Sequence, residues 1–184
     1  MRESPSSANY IHVREPLLAP MFALAAGIVL ARTAPFSFTE LAKRAAELMP
    51  ETGGSIITLT FGGSTRVMPN YNVMGIAKAA LEASVRYLAF DFGRRKIRVN
   101  SISAGPVRTL AGAVIGDSRA MFAFQQKHSP LGRGVTLDEL GGSALYLLSD
   151  LSAGVTGEIH YVDSGYNIIS MPRPEDLRAE AEAE

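Results

Sequence analysis

Two short β-branched runs, "SIITLTF" from Ser55 to Phe61 and "IRVNSIS" from Ile97 to Ser103, flank a long helical stretch from Asn72 to about Asp91. Ahead of them, "APFSFTELAKRAAELM" has Thr33 as a helix N-cap and Pro35 near the first turn. Phe38, Leu41, Ala45 and Leu48 follow at helical spacing. "PETGG" stops that helix and Gly93 stops the long one. A helical segment around Gly116 to His128 comes next, then a helix capped by Thr136 and running through Leu148. "GEIHYVDSG" supplies a third strand. Helix, strand, helix, strand, helix, strand is the order of a parallel sheet with helices on its faces. In such sheets ligands sit beyond the carboxyl ends of the strands. Phe61 and the loop "GGSTRVMPN" occupy one such end, and "SAGPVRTLA", Ser103 to Ala111, the next. The start of the long helix faces the same crevice.

Length and composition narrow the class. A chain of 184 residues is one domain by the usual prior and can bury a real core. At 47% hydrophobic and 20% charged it reads as soluble and globular. Lys plus Arg equals Asp plus Glu at 18 each, so no basic field exists to attract nucleic acid. Cysteine is absent, which excludes disulfides and thiolate metal sites and agrees with a reducing, cytoplasmic setting. His12, His128 and His160 lie far apart without metal-ligand spacing and read as surface or half-buried residues; no metal is expected. "LLAPMFALAAGIVLA", Leu17 to Ala31, is uncharged but shorter than the ~20 residues a membrane helix needs. Its lead-in balances Arg2 and Arg14 with Glu3 and Glu15, a poor signal-peptide start, and Pro20 and Gly27 interrupt a helix. It reads as a buried or partner-covered segment, with membrane insertion or export as the alternative.

The stretch "PNYNVMGIAKAALEASVRYLA" sets Tyr71 and Lys78 seven residues apart. Seven steps of ~100° return to within about 20° of the same helix face, roughly 10 Å further along the axis. With Tyr71 at the helix start, the Lys78 stem can reach back toward it. An ammonium beside a phenol lowers the phenol pKa and makes the hydroxyl a better donor to a developing oxyanion. Spacing alone also fits an ordinary decorated helix.

The segments "SIITLTF", "NYNVMGIAKAALEASVRYLA", "IRVNSISAGPVRTLAG" and "LLSDLSAGVTGEIHYVDSGYNI" together resemble the enoyl-acyl-carrier-protein reductases of the short-chain dehydrogenase/reductase superfamily. The six-residue gap between Tyr71 and Lys78 marks that branch; most of the superfamily sets its pair closer. The similarity runs from about Phe36 to Pro172. It implies a Rossmann-type α/β fold, a parallel sheet with helices on both faces, and hydride transfer from NADH to the β-carbon of a trans-2-enoyl thioester. Tyr71 would then hydrogen-bond the thioester oxygen and Lys78 would hold the nicotinamide ribose. Gly105, Pro106, Val107, Arg108, Thr109, Leu110 and Ala111 would border the cofactor, with Val107 at the carboxamide and Thr109 near phosphate. Gly105 and Pro106 would let the chain turn sharply there. Phe61, Tyr71, Met74, Ala111, Ile115 and Phe122 fall where the family has its acyl pocket and lid; Met74 fits core packing equally well. An acyl-carrier-protein substrate and a homo-oligomer are implied as partners.

Two departures accompany the resemblance. Phe61 stands where the family commonly has a second tyrosine, so a second phenol has no role at this site. No G-x-G-x-x-G occurs, and nothing in Met1 to Ala34 matches the family's nucleotide-binding half. The sequence therefore divides into a divergent segment 1–34, a reductase-like part 35–172 and a charged tail 173–184, read as helical or frayed and as solvated rather than functional. An N-terminally incomplete sheet would leave strand edges and helix faces uncovered and would bind NADH poorly. A non-catalytic paralogue acting through acyl binding or oligomer contacts, and a membrane-tethered protein, stand as alternatives. A serine hydrolase is disfavoured by the lack of G-x-S-x-G.

Overall fold

The computed structural model of the chain describes residues 38–69, 71–107 and 118–181. The run Leu17 to Ala31, the cap Thr33 and Pro35 lie outside them. Helix α1 (Phe38–Glu47) leads into strand β1 (Gly54–Thr60), and the long helix α2 (Asn72–Gly93) leads into β2 (Ile97–Ala104). Helices α3 (Ser118–His128) and α4 (Leu137–Leu148) precede β3 (Ile159–Val162), and α5 (Pro174–Ala181) follows it. The strands pair in parallel in the order β1-β2-β3. This is the expected Rossmann-type arrangement, with strand bounds within a residue or two of the sequence reading for β1 and β2.

Strand alternation puts helices on both faces. Ile56 and Val99 are register partners and join a core with Ala42 and Ala46 of α1 and Val85, Leu88, Ala89 and Phe92 of α2. The preceding partners, Ser55 and Arg98, face the other way, and both donate hydrogen bonds of 2.8 Å to the carbonyl of Leu147 in α4. The Arg98 guanidinium also reaches Ser149 O, Ser152 Oγ and Val155 O, satisfying carbonyls at and beyond the α4 carboxyl end. Buried Asn100 ties β2 to the segment before β3 by donating to Val155 O and accepting from Glu158 N.

Two sequence readings differ from the structure. The core side of α1 is Phe38, Ala42 and Ala46, whereas Leu41 and Leu48 are 56% and 88% exposed. Helices in close approach favour alanine at the contact, so the large residues rotate outward. His128 is buried rather than half-exposed. Its ring lies 4.3 Å from that of Phe124, and its Nδ1 is 3.5 Å from Asp176 Oδ2. The charged tail forms α5, and Asp176 docks it between His128 and Lys127, whose Nζ lies 3.8 Å from Oδ1. No described helix is long and apolar enough to cross a membrane.

Candidate functional site

One stripe of α2 faces the sheet: Tyr71 at the N-cap, then Gly75, Lys78, Glu82, Val85 and Ala89, spaced alternately by four and three residues. Its far end is apolar and packs in the core, with Val85 fully buried. Its near end is polar and lies against the carboxyl end of β1. Gly75 is required there. A Cβ on it would stand 2.7 Å from the carbonyl oxygen of Gly63, so the 3-10 turn Gly62–Ser64 approaches the helix only because no side chain intervenes. A Cβ on Gly63 would collide with the Phe61 ring in turn.

Three consecutive residues at the end of β1 each meet this stripe. Lys78 Nζ donates to Leu59 O at 2.7 Å. Thr60 Oγ1 donates to Glu82 Oε1 at 2.7 Å, with both residues buried. The Phe61 and Tyr71 rings lie 5.4 Å apart, tilted by 51°. Tyr71 and Phe61 are thus brought together as the sequence suggested, and Lys78 lies on the same face.

The electrostatics run against expectation. Burial pushes the Tyr71 phenol above its ordinary value, opposite to the lowering expected from a neighbouring ammonium, and Lys78 Nζ is turned to Leu59 O. Burial also lowers the Lys78 ammonium from its ordinary value. The phenol is accordingly held protonated as a hydrogen-bond donor at neutral pH. The N-terminus of α2 adds positive character beside it. There is no acidic residue in the first turn and no cap bond from Tyr71, although Asn72 Oδ1 accepts from Val73 N at 2.8 Å.

The other candidates sort by position. Gly105, Pro106 and Val107 follow β2 at the same end of the sheet as Phe61, since Thr60 pairs with Ser103. Gly105 has a packing reason: a Cβ there would lie 2.8 Å from Asp163 Cα, and its N–H donates to Val162 O. Arg108, Thr109, Leu110, Ala111 and Ile115 lie outside the described residues. Met74 is 50% exposed, and Phe122 of α3 is half-buried.

Several residues at this end escaped the sequence reading. Asp163 organises the turn after β3, accepting from Gly165 N, Asn167 N and Asn167 Nδ2. Arg66 clamps that turn to the β1 loop by donating to the carbonyls of Ile169 and Asn167. Glu82 was legible in principle, as a carboxylate four residues after Lys78 on the inward stripe.

Chemically, the arrangement offers a protonated phenol at a helix N-terminus, an apolar ring against it, and a lysine with further N–H groups beyond the one bound to Leu59. That donor set suits a ribose diol and a developing oxyanion.

The family model described as enoyl-(acyl carrier protein) reductase matches residues 30–167. The chain is 76% identical over 143 residues to enoyl-[acyl-carrier-protein] reductase [NADH] 2 of Rhizobium meliloti, covering 78% of this chain and 53% of that protein. It is 58% identical over 134 residues to the Rickettsia typhi enzyme of the same description, FabI, covering 73% and 51%. Among solved structures, FabI from Candidatus Liberibacter asiaticus superposes with a TM-score of 0.72 at 64% identity, covering 75% of this chain and 53% of that one. The Anaplasma phagocytophilum reductase in complex with NAD gives 0.71 at 55%, covering 75% and 52%. The chain spans about half the length of the curated relatives it matches.

Proposed function

The chain belongs to the enoyl-(acyl carrier protein) reductase family, and from that premise we propose that it serves NADH-dependent reduction of trans-2-enoyl-acyl-carrier-protein in the cytoplasm. The observation that carries the reading is the Tyr71 phenol at the α2 N-terminus against Phe61, with Lys78 two turns along the same face. NADH, when bound, would supply a hydride to the β-carbon of the thioester, opening the double bond to an enolate that takes a proton from water at the α-carbon. Tyr71 donates a hydrogen bond to the thioester oxygen, where negative charge accumulates, and the positive end of α2 supports that charge. Lys78 directs its remaining N–H groups to the ribose hydroxyls and fixes the cofactor's reactive end. Val107 would meet the carboxamide through its main chain, with Gly105 and Pro106 shaping its approach. Arg108, Thr109, Leu110 and Ala111 continue that border on the strength of the resemblance. Phe61 has no hydroxyl and serves as an apolar wall that keeps water from the phenol. Met74 and Phe122, with Ala111 and Ile115, contact the acyl chain.

The same proposal includes a homo-oligomer. It is supported by the outward face of α2, where Ile76, Tyr87 and Phe90 are 73%, 75% and 85% exposed at spacings of eleven and three residues.

Calorimetric titration with NADH, followed by an assay on a crotonyl thioester, tests the reading. Tyr71→Phe is expected to lower turnover ~100-fold or more, as for loss of an oxyanion donor. Lys78→Ala is expected to weaken NADH binding. Undiminished turnover in Tyr71→Phe removes the tyrosine from the mechanism. A parent chain that binds acyl ligands without NADH-dependent turnover supports the non-catalytic reading instead.

A further inference from the structure

A glutamate buried in the middle of a helix is an expensive choice. An apolar residue of similar volume there is commonly neutral or stabilising, whereas a buried carboxylate needs hydrogen bonds to offset its desolvation. Glu82 is 5% exposed, one turn beyond Lys78 on the inward stripe of α2, and its Oε1 takes the hydroxyl of Thr60, itself 4% exposed. Thr60 is the last residue of β1, between Leu59, whose carbonyl holds Lys78, and Phe61, whose ring meets Tyr71. Glu82 and Lys78 therefore engage adjacent residues of one strand end from adjacent turns of one helix.

Val85, Leu88, Ala89 and Phe92 make non-directional contacts nearer the other end of the helix, and at this end the close approach of Gly75 to Gly63 is steric rather than directional. A hydrogen bond between two buried partners is directional and is lost within an ångström of slide. We propose that the Thr60–Glu82 hydrogen bond is a positioning latch that sets the height of α2 along β1, placing Lys78 at the Leu59 carbonyl and Tyr71 against Phe61. Glu82 and Thr60 are thus positioning residues for the proposed Tyr71–Lys78 pair, and their part in catalysis rests on that reading.

The experiment reads Lys78 directly, independently of turnover. The full chain is treated briefly with an amine-modifying reagent, and the extent at each lysine is measured by mass spectrometry, with Lys43, Lys96 and Lys127 as internal references. Thr60→Val keeps the shape and removes the donor. It is expected to raise the modification rate of Lys78 several-fold while the three references stay unchanged, and Thr60→Ser is expected to restore the parent rate. A folded Thr60→Val with Lys78 unchanged overturns the latch.

Glu82→Gln supplies a second test, because its side-chain carbonyl still accepts from Thr60. Parental Lys78 reactivity is expected, and a several-fold rise would assign the effect to charge and overturn the geometric latch. This variant also decides the matter where Thr60→Val fails to fold. In the crotonyl thioester assay Thr60→Val is expected to raise KM for NADH more than it lowers kcat. A parent without turnover counts against the proposed function alone, since the lysine readout stands apart from it.

Discussion

Ser164 shows at a single residue how the end of β3 is stressed. It adopts φ 59°, in the left-handed region that costs an ordinary L-residue about 1 kcal/mol or more, and it is 7% exposed. Its hydroxyl is buried with no hydrogen-bond partner among the described residues. Glycine removes both costs. Ser164→Gly is expected to raise Tm by a few degrees, offset in part by the greater freedom of glycine in the unfolded chain. A lower Tm by scanning calorimetry would show that the hydroxyl is satisfied and that the conformation carries no strain. The sequence pointed to Asp163 to Gly165 only as the end of a strand. The positive φ of Ser164 does not follow from its residue type, and the clamp of this turn by Arg66, some hundred positions away, is not a local signal either. The Tyr71–Lys78 face was legible because both residues lie on one helix and helical geometry is local. The Leu59 carbonyl that engages Lys78 was not, since it is a backbone atom on another element.

Among the elements, α4 has the most explicit sequence signature. Thr136 and Glu139 form a reciprocal capping box, with Glu139 N–H donating to Thr136 Oγ1 at 3.2 Å and Thr136 N–H donating to Glu139 Oε2 at 2.8 Å. Arg133 holds the same carboxylate through two hydrogen bonds, at 2.6 and 3.0 Å. Its guanidinium first, and the Thr136 N–H second, bring the Glu139 carboxyl down from 4.5 to about 2. A carboxyl whose folded value lies below its unfolded one adds stability that is complete above the ordinary value. That stability is lost as pH falls from about 4.5 toward 2. Glu139→Gln keeps an acceptor for the box but removes the charge. Its Tm is expected to fall below the parent's at neutral pH and to converge with it in acid, with a smaller gap in high salt because the pair is exposed. A gap independent of pH and salt would remove the ion pair from the account. This element was readable because a cap is a signal only four residues long. The core side of α1 was not, because Leu41 and Ala42 are equally compatible with helical periodicity. The close approach of α2 decides between them.

At the scale of the whole molecule, the outward face of α2 predicts association. Phe90→Glu is expected to lower the mass measured by light scattering and to leave the secondary structure intact, since Phe90 is 85% exposed and contributes nothing to the core. A parent chain that is monomeric at all concentrations would count against the oligomer.

The same helix gives this face a consequence for the site. α2 is a single rod of 22 residues, capped by Tyr71, with Lys78 on one side and the exposed Ile76, Tyr87 and Phe90 on the other. In the proposed oligomer, partner subunits seated on the outer side would select a setting of the rod, and a cofactor held by Lys78 as proposed would select one too. Around a closed thermodynamic cycle the two preferences are one quantity, so any factor by which assembly tightens cofactor binding is also the factor by which cofactor tightens assembly.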